Sequence, residues 1–117
     1  MFNLMFSSVV DSVVRDVIGV LGGRPRVFGP AGLYVVGTMA QIPGDYIEIG
    51  TWFGASALVA ALVKKRLGID GTVTCIDPFK ADTPEYLLAI PSKEAVLESA
   101  RKLDVELDII EKSSYPW

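Results

Sequence analysis

Two short stretches carry the residues able to do chemistry. In Tyr46-Ile47-Glu48-Ile49-Gly50-Thr51-Trp52-Phe53-Gly54-Ala55-Ser56, an acid precedes a glycine by two positions, and a second glycine follows four positions later. In Cys75-Ile76-Asp77-Pro78-Phe79, an acid closes an apolar run 23 positions after Gly54. Gly50 stands where a strand must turn sharply and lets a ligand approach the main chain. Gly54 opens a helix whose first N–H groups lack intrahelical partners and face the same crevice. Thr51, Trp52 and Phe53 form the loop between them. Glu48, inside an apolar strand, needs a cation or hydrogen-bond donors; a ligand ammonium is one candidate, a backbone amide or the adjacent loop another. Asp77 has the spacing of an acid that accepts from ribose hydroxyls, against the alternative of a solvated turn acid before proline. Pro78 and Phe79 are placed to flank an adenine.

Other chemistries are excluded by what is missing. There is no histidine, which removes histidine acid–base catalysis, a Ser-His triad and most zinc sites, so no metal centre is expected. The G-x-x-x-G spacing lacks the middle glycine that admits a dinucleotide pyrophosphate, and it is not succeeded by the Gly-Lys-Ser/Thr of a P-loop. The single cysteine, Cys75, reads as strand filler; it cannot form an intrachain disulfide, and a cytoplasmic setting is the expectation. A net charge of −3 gives no electrostatic case for nucleic acid. The apolar start, Met1–Phe6, lacks a basic region, and Asp11, Arg15 and Asp16 interrupt the apolar run beyond it, so neither a signal peptide nor a membrane span is expected.

These stretches must be held by regular elements. Val10, Val14, Val17 and Leu21 recur at helical spacing and predict a helix over 7–21, ended by Gly22-Gly23. A second helix is expected over 31–41, weakened by Gly32 and Gly37. Residues 46–50 read as the first strand. Residues 55–67 read as an apolar helix wedged against a sheet, with Lys64, Lys65 and Arg66 as a solvated, dipole-complementing end and Gly68 as its stop. A second strand is expected over 72–77 and a short helix over 83–89. Another helix should start near Pro91-Ser92 and run through Leu103, and a third strand over 105–111. Strands alternating with helices imply parallel pairing through right-handed crossovers. The organisation is an N-terminal helix and loop (1–29) followed by a partial Rossmann-like cofactor-binding domain (30–117). A sheet of three strands leaves a face or an edge uncovered.

Glu48–Ser56 resembles motif I of the class I S-adenosylmethionine-dependent methyltransferases, and Cys75–Phe79 resembles their acidic second-strand motif. The branch it is most similar to groups macrocin O-methyltransferases with so-called cephalosporin hydroxylases. The resemblance spans roughly residues 30–114. It implies an α/β, Rossmann-like parallel sheet with flanking helices, the truncated first half of a seven-stranded methyltransferase fold, binding S-adenosylmethionine. Gly50 and Gly54, with Thr51, Trp52 and Ser56 in the same motif, would cradle the methionine part. Glu48 would hold its amino group, Asp77 the ribose hydroxyls, and Phe79, beside Pro78, would lie near the adenine. Ser113 takes the place at the end of strand three where the family usually contacts the adenine amino group. The acceptor would be a small molecule, in a full-length enzyme that supplies the catalytic residues; none is named in this chain. A homo-oligomer is compatible with this reading, and neither nucleic acid nor membrane is an expected partner. Two other classes stay open: a nucleotide-sugar or dinucleotide-binding enzyme, and a non-catalytic binding or assembly module.

Overall fold

The computed structural model describes residues 4–24, 28–80 and 91–113. Among the described residues four helices and three strands follow one another in the order α1 (Leu4–Leu21), α2 (Pro30–Met39), β1 (Tyr46–Ile49), α3 (Ala55–Leu67), β2 (Val73–Ile76), α4 (Lys93–Leu103) and β3 (Asp108–Ile110). The strands form one parallel sheet in the order β1-β2-β3, with Tyr46 opposite Val73 and Thr74 opposite Asp108. The fold is therefore α/β and Rossmann-like. The short helix expected over 83–89 lies outside the described residues.

α3 is the centre of the molecule. Every residue from Ala55 to Lys64 except Ser56 is buried, which explains an apolar sequence around its whole circumference. It packs on β2, α1, α2 and α4. Val10, Val13 and Val17 of α1 and Leu33 of α2 are fully buried in the same core as Leu58, Val59 and Val63, so the N-terminal helix shares the core of the sheet domain. The glycines of α2 mark close contacts: a Cβ on Gly37 would lie 2.8 Å from Val10 Cγ1, and one on Gly32 would lie 2.9 Å from Phe28 Cβ. Packing overrides their poor helix propensity.

Three local details depart from the sequence reading. Lys64 is not a solvated helix end: it is 5% exposed, and its Nζ donates to the Ile42 carbonyl at 2.9 Å. Its neighbours are also tied down, Lys65 to Asp104 at 2.7 Å and Arg66 to Asp16. α1 begins at Leu4 rather than residue 7. β3 is confined to Asp108–Ile110 because Asp104 takes a left-handed conformation (φ 54°) and Val105 N donates back to Ala100 O, closing α4. That cap turns Val105 and its neighbours into connection before the ladder resumes.

Among the described residues the helices pack together on one side of the sheet. The other face carries Ile47, Ile49 and Ile110, which are 66%, 65% and 42% exposed. Parallel sheets ordinarily bury both faces.

Candidate ligand-binding site

The ladder delivers β1 and β2 side by side to the glycine bend. Tyr46 N donates to Thr72 O at 2.8 Å and Gly50 N to Ile76 O at 2.9 Å, so β1 stays paired up to the turn. Gly50 (φ 82°), Trp52 (φ 53°) and Gly54 (φ 90°) then take left-handed conformations in quick succession. Gly54 N closes the loop on Thr51 O at 2.9 Å and caps α3. A Cβ on Gly50 would meet nothing within 4 Å, so its main chain is open to a ligand.

Asp77 stands at this bend. Its Oδ2 accepts from Trp52 N at 2.9 Å and its Oδ1 from Phe79 N at 2.7 Å. It is thus neither a solvated turn acid nor an idle carboxylate. It staples the loop after β1 to the loop after β2 and holds two residues of positive φ, Trp52 and Phe79 (φ 52°). Each oxygen keeps acceptor capacity beyond its one N–H.

Glu48 lies on the helix-facing side of β1. Tyr46 Oη donates to its Oε1 at 3.1 Å, and Ser56 Oγ, in the first turn of α3, donates to the same oxygen. Its partners are side-chain hydroxyls rather than the backbone amide or adjacent loop considered from sequence. Glu48 Oε2 and Thr51 Oγ1 are buried without a hydrogen-bond partner. Burial pushes the Glu48 carboxyl above the ordinary carboxylate range; the hydroxyls of Ser56 and Tyr46 oppose this, and the charge of Asp77 adds to it. Burial likewise pushes the Tyr46 phenol up, with Glu48 beside it contributing, and pushes the Cys75 thiol up to about 12. An acceptor left without a donor in a buried place costs about 1–3 kcal/mol. Protonation of the carboxyl relieves that cost, and so does a cationic or hydroxyl donor brought by a ligand.

A cavity of about 410 Å³ adjoins these groups, and Glu48, Gly50, Thr51, Trp52 and Ser56 all line it. Phe28, Tyr46, Ile47 and Ile49 complete the β1 side of its wall. Asp77, Pro78, Phe79 and Ser113 are not on that wall: the first three lie across the loop at the end of β2, and Ser113 lies exposed after β3. Gly54 is buried behind the loop against Val96. Sequence reasoning missed Tyr46 and Phe28. The strand period of two puts Tyr46 and Glu48 on one face, and that signal was there to be read for Tyr46. Phe28 reaches the site through its packing on Gly32, which no local pattern announces.

A second cavity, about 430 Å³, lies at the opposite ends of the strands between Lys65, Thr72, Asp104 and Asp108. Its charges are partly paired with each other, Lys65 with Asp104, and it lies away from the glycine bend. Among the described residues no group of three or more metal-ligating side chains gathers, and no helix is long and apolar enough to cross a membrane. No family model matches the chain, and no curated protein matches it at a significant level.

Proposed function

We propose that this chain binds S-adenosylmethionine as the donor-binding part of a class I methyltransferase that acts on a small-molecule acceptor. The observation that carries the reading is the convergence of Glu48, Gly50, the first turn of α3 and Asp77 on one bend, with Asp77 bonded to the loop itself at 2.9 Å. The cavity volume of about 410 Å³ falls within the range of small-molecule sites. The unpartnered Oε2 of Glu48 fits a group that brings an ammonium. In this reading the methionine end occupies the cavity beside Gly50, Thr51, Trp52 and Ser56. The ribose hydroxyls take the spare acceptor capacity of Asp77, the adenine lies toward Pro78 and Phe79, and Ser113 borders it. The protein's contribution is alignment of the sulfonium methyl for in-line transfer.

Calorimetry of the folded chain with S-adenosylmethionine, S-adenosylhomocysteine and NAD tests this. Binding of the first two without NAD is expected. Asp77→Ala should weaken that binding by about 1–3 kcal/mol, the size of hydrogen bonds to a charged group. Binding of NAD alone would move the chain to the dinucleotide class. A second reading, a non-catalytic module, is favoured by one observation: both Asp77 oxygens already serve loop N–H groups, as a purely structural staple would. Silence toward all three ligands in a folded sample would support it.

A further inference from the structure

The turn that leads into β2 carries the chain's one Asp-Gly step, Asp70-Gly71. An aspartate before glycine is open to attack by its own main chain, because no side chain shields the next nitrogen. The attack needs a free carboxyl and an N–H that is not hydrogen-bonded. Asp70 and Gly71 are both exposed. Among the described residues the Asp70 carboxyl makes no hydrogen bond or ion pair, and the Gly71 N–H donates to nothing. Gly71 and Thr72 also line the second cavity, so water reaches the turn.

The other described aspartates each lack one of these conditions. Asp11 and Asp16 lie inside α1, where the N–H groups that follow them belong to the helical ladder. Tyr46 N, after Asp45, is bonded to Thr72 O, and Val105 N, after Asp104, is bonded to Ala100 O. Asp77 precedes a proline, which has no N–H. Asp108 precedes Ile109 in β3, whose branched side chain crowds the nitrogen. The glycine itself is fixed by packing. Gly71 has φ 133°, and a Cβ there would overlap the carbonyl oxygen of Gly44. The fold thus imposes the glycine, and the glycine leaves the step unshielded.

We propose that Asp70-Gly71 is a self-modification site, at which the folded chain converts aspartate to isoaspartate. Gly71 N attacks Asp70 Cγ, and the carboxyl hydroxyl leaves with the amide proton as water. The two residues then share a five-membered succinimide. Water reopens the ring at either carbonyl carbon. Attack at Cγ restores aspartate. Attack at the main-chain carbonyl carbon breaks its bond to Gly71 N and leaves isoaspartate, linked through Cγ. One water is lost and one regained, with no oxidant or reductant.

The product is one methylene longer in its main chain, and the former Asp70 carbonyl becomes a free carboxylate. In the intact chain that carbonyl accepts from Gly44 N at 2.9 Å. Beside it, Tyr46 N donates to Thr72 O at 2.8 Å and Thr72 N to Asp45 Oδ1 at 2.9 Å. These bonds join β1 to β2 where the ladder starts, in a contact too close to admit a methyl group on Gly71. Isomerisation therefore loosens the strand pair at its entry. The inference does not depend on what the glycine bend binds.

Ageing the folded full chain at neutral pH in heavy-oxygen water, then mapping its peptides in ordinary water, tests this. Asp70 should take up heavy oxygen, and its peptide should split into two isomers, one resistant to an aspartate-specific protease. Asp70→Glu would have to close a six-membered ring; it should lose both signals and keep the wild-type urea midpoint. The isomerised chain, separated from the aged sample, should unfold at lower urea than the unaged chain. Label at Asp70 in the urea-unfolded chain but not in the folded one would overturn the proposal, as would label spread evenly over the aspartates. An isolated isomer with an unchanged midpoint would overturn its effect on the strand pair.

Discussion

Glu48 shows how a strand side chain becomes a sensitive group through position alone. Its carboxyl is held by Tyr46 and Ser56 on one oxygen while the other is buried without a donor. Burial raises its folded-state pKa, so the folded chain holds this proton more tightly than the unfolded chain does. Its contribution to stability is then fully present below the ordinary glutamate value and is lost as pH rises through the raised one. Glu48→Gln should flatten that loss, so that urea midpoints of the wild type fall between acid and neutral pH while those of the variant do not. The sequence showed that Glu48 required partners but could not say which, because its partners come from two elements. Asp77 was legible as a site residue by spacing alone; its role as a staple was not, since it depends on Trp52 and Phe79 both taking positive φ.

At the scale of elements, the two glycines of the bend do different work. Both have positive φ, but a Cβ on Gly50 meets open space, while one on Gly54 would lie 3.0 Å from Val96 Cγ1 of α4. Gly50→Ala should cost only the backbone penalty, about 1–2 kcal/mol. Gly54→Ala should cost about 2–4 kcal/mol, because overpacking against α4 is added. Chemical denaturation of the pair measures the difference. The order of strands and helices was readable from periodicity and turn residues, as were Gly68 as the stop of α3 and Ser92 as the start of α4, where its hydroxyl accepts from Ala95 N at 3.1 Å. The end of α4 at Leu103 was readable as well, but its left-handed cap was not, because an aspartate rather than a glycine takes it. Lys64 was misjudged for a related reason: a basic last turn looks solvated until α2's exit loop is known to cross it.

For the molecule as a whole, the helices cover one face of the sheet and leave isoleucines on the other. If the cavity binds S-adenosylmethionine, binding without turnover is expected of the isolated chain. Among the described residues lining the cavity, the one carboxyl, Glu48, is already held by two hydroxyls and buried. Radiolabelled methyl transfer to candidate acceptors is the measurement, and transfer above background would refute the expectation. Parallel pairing and the α/β class came from alternation of element types. The side on which the helices would gather, and hence which isoleucines would remain bare, did not, since a four-residue apolar strand is equally consistent with either face inward.

The lone thiol of the chain lies in the middle strand with no exposure and with its ionisation pushed up to about 12. Alkylating reagents attack thiolates that solvent can reach, so Cys75 stays silent while the sheet is intact and reacts when β2 opens. The protein thus contains its own clock for strand separation, and mass spectrometry of the alkylated fraction reads the opening rate of the sheet with no cysteine engineered into it.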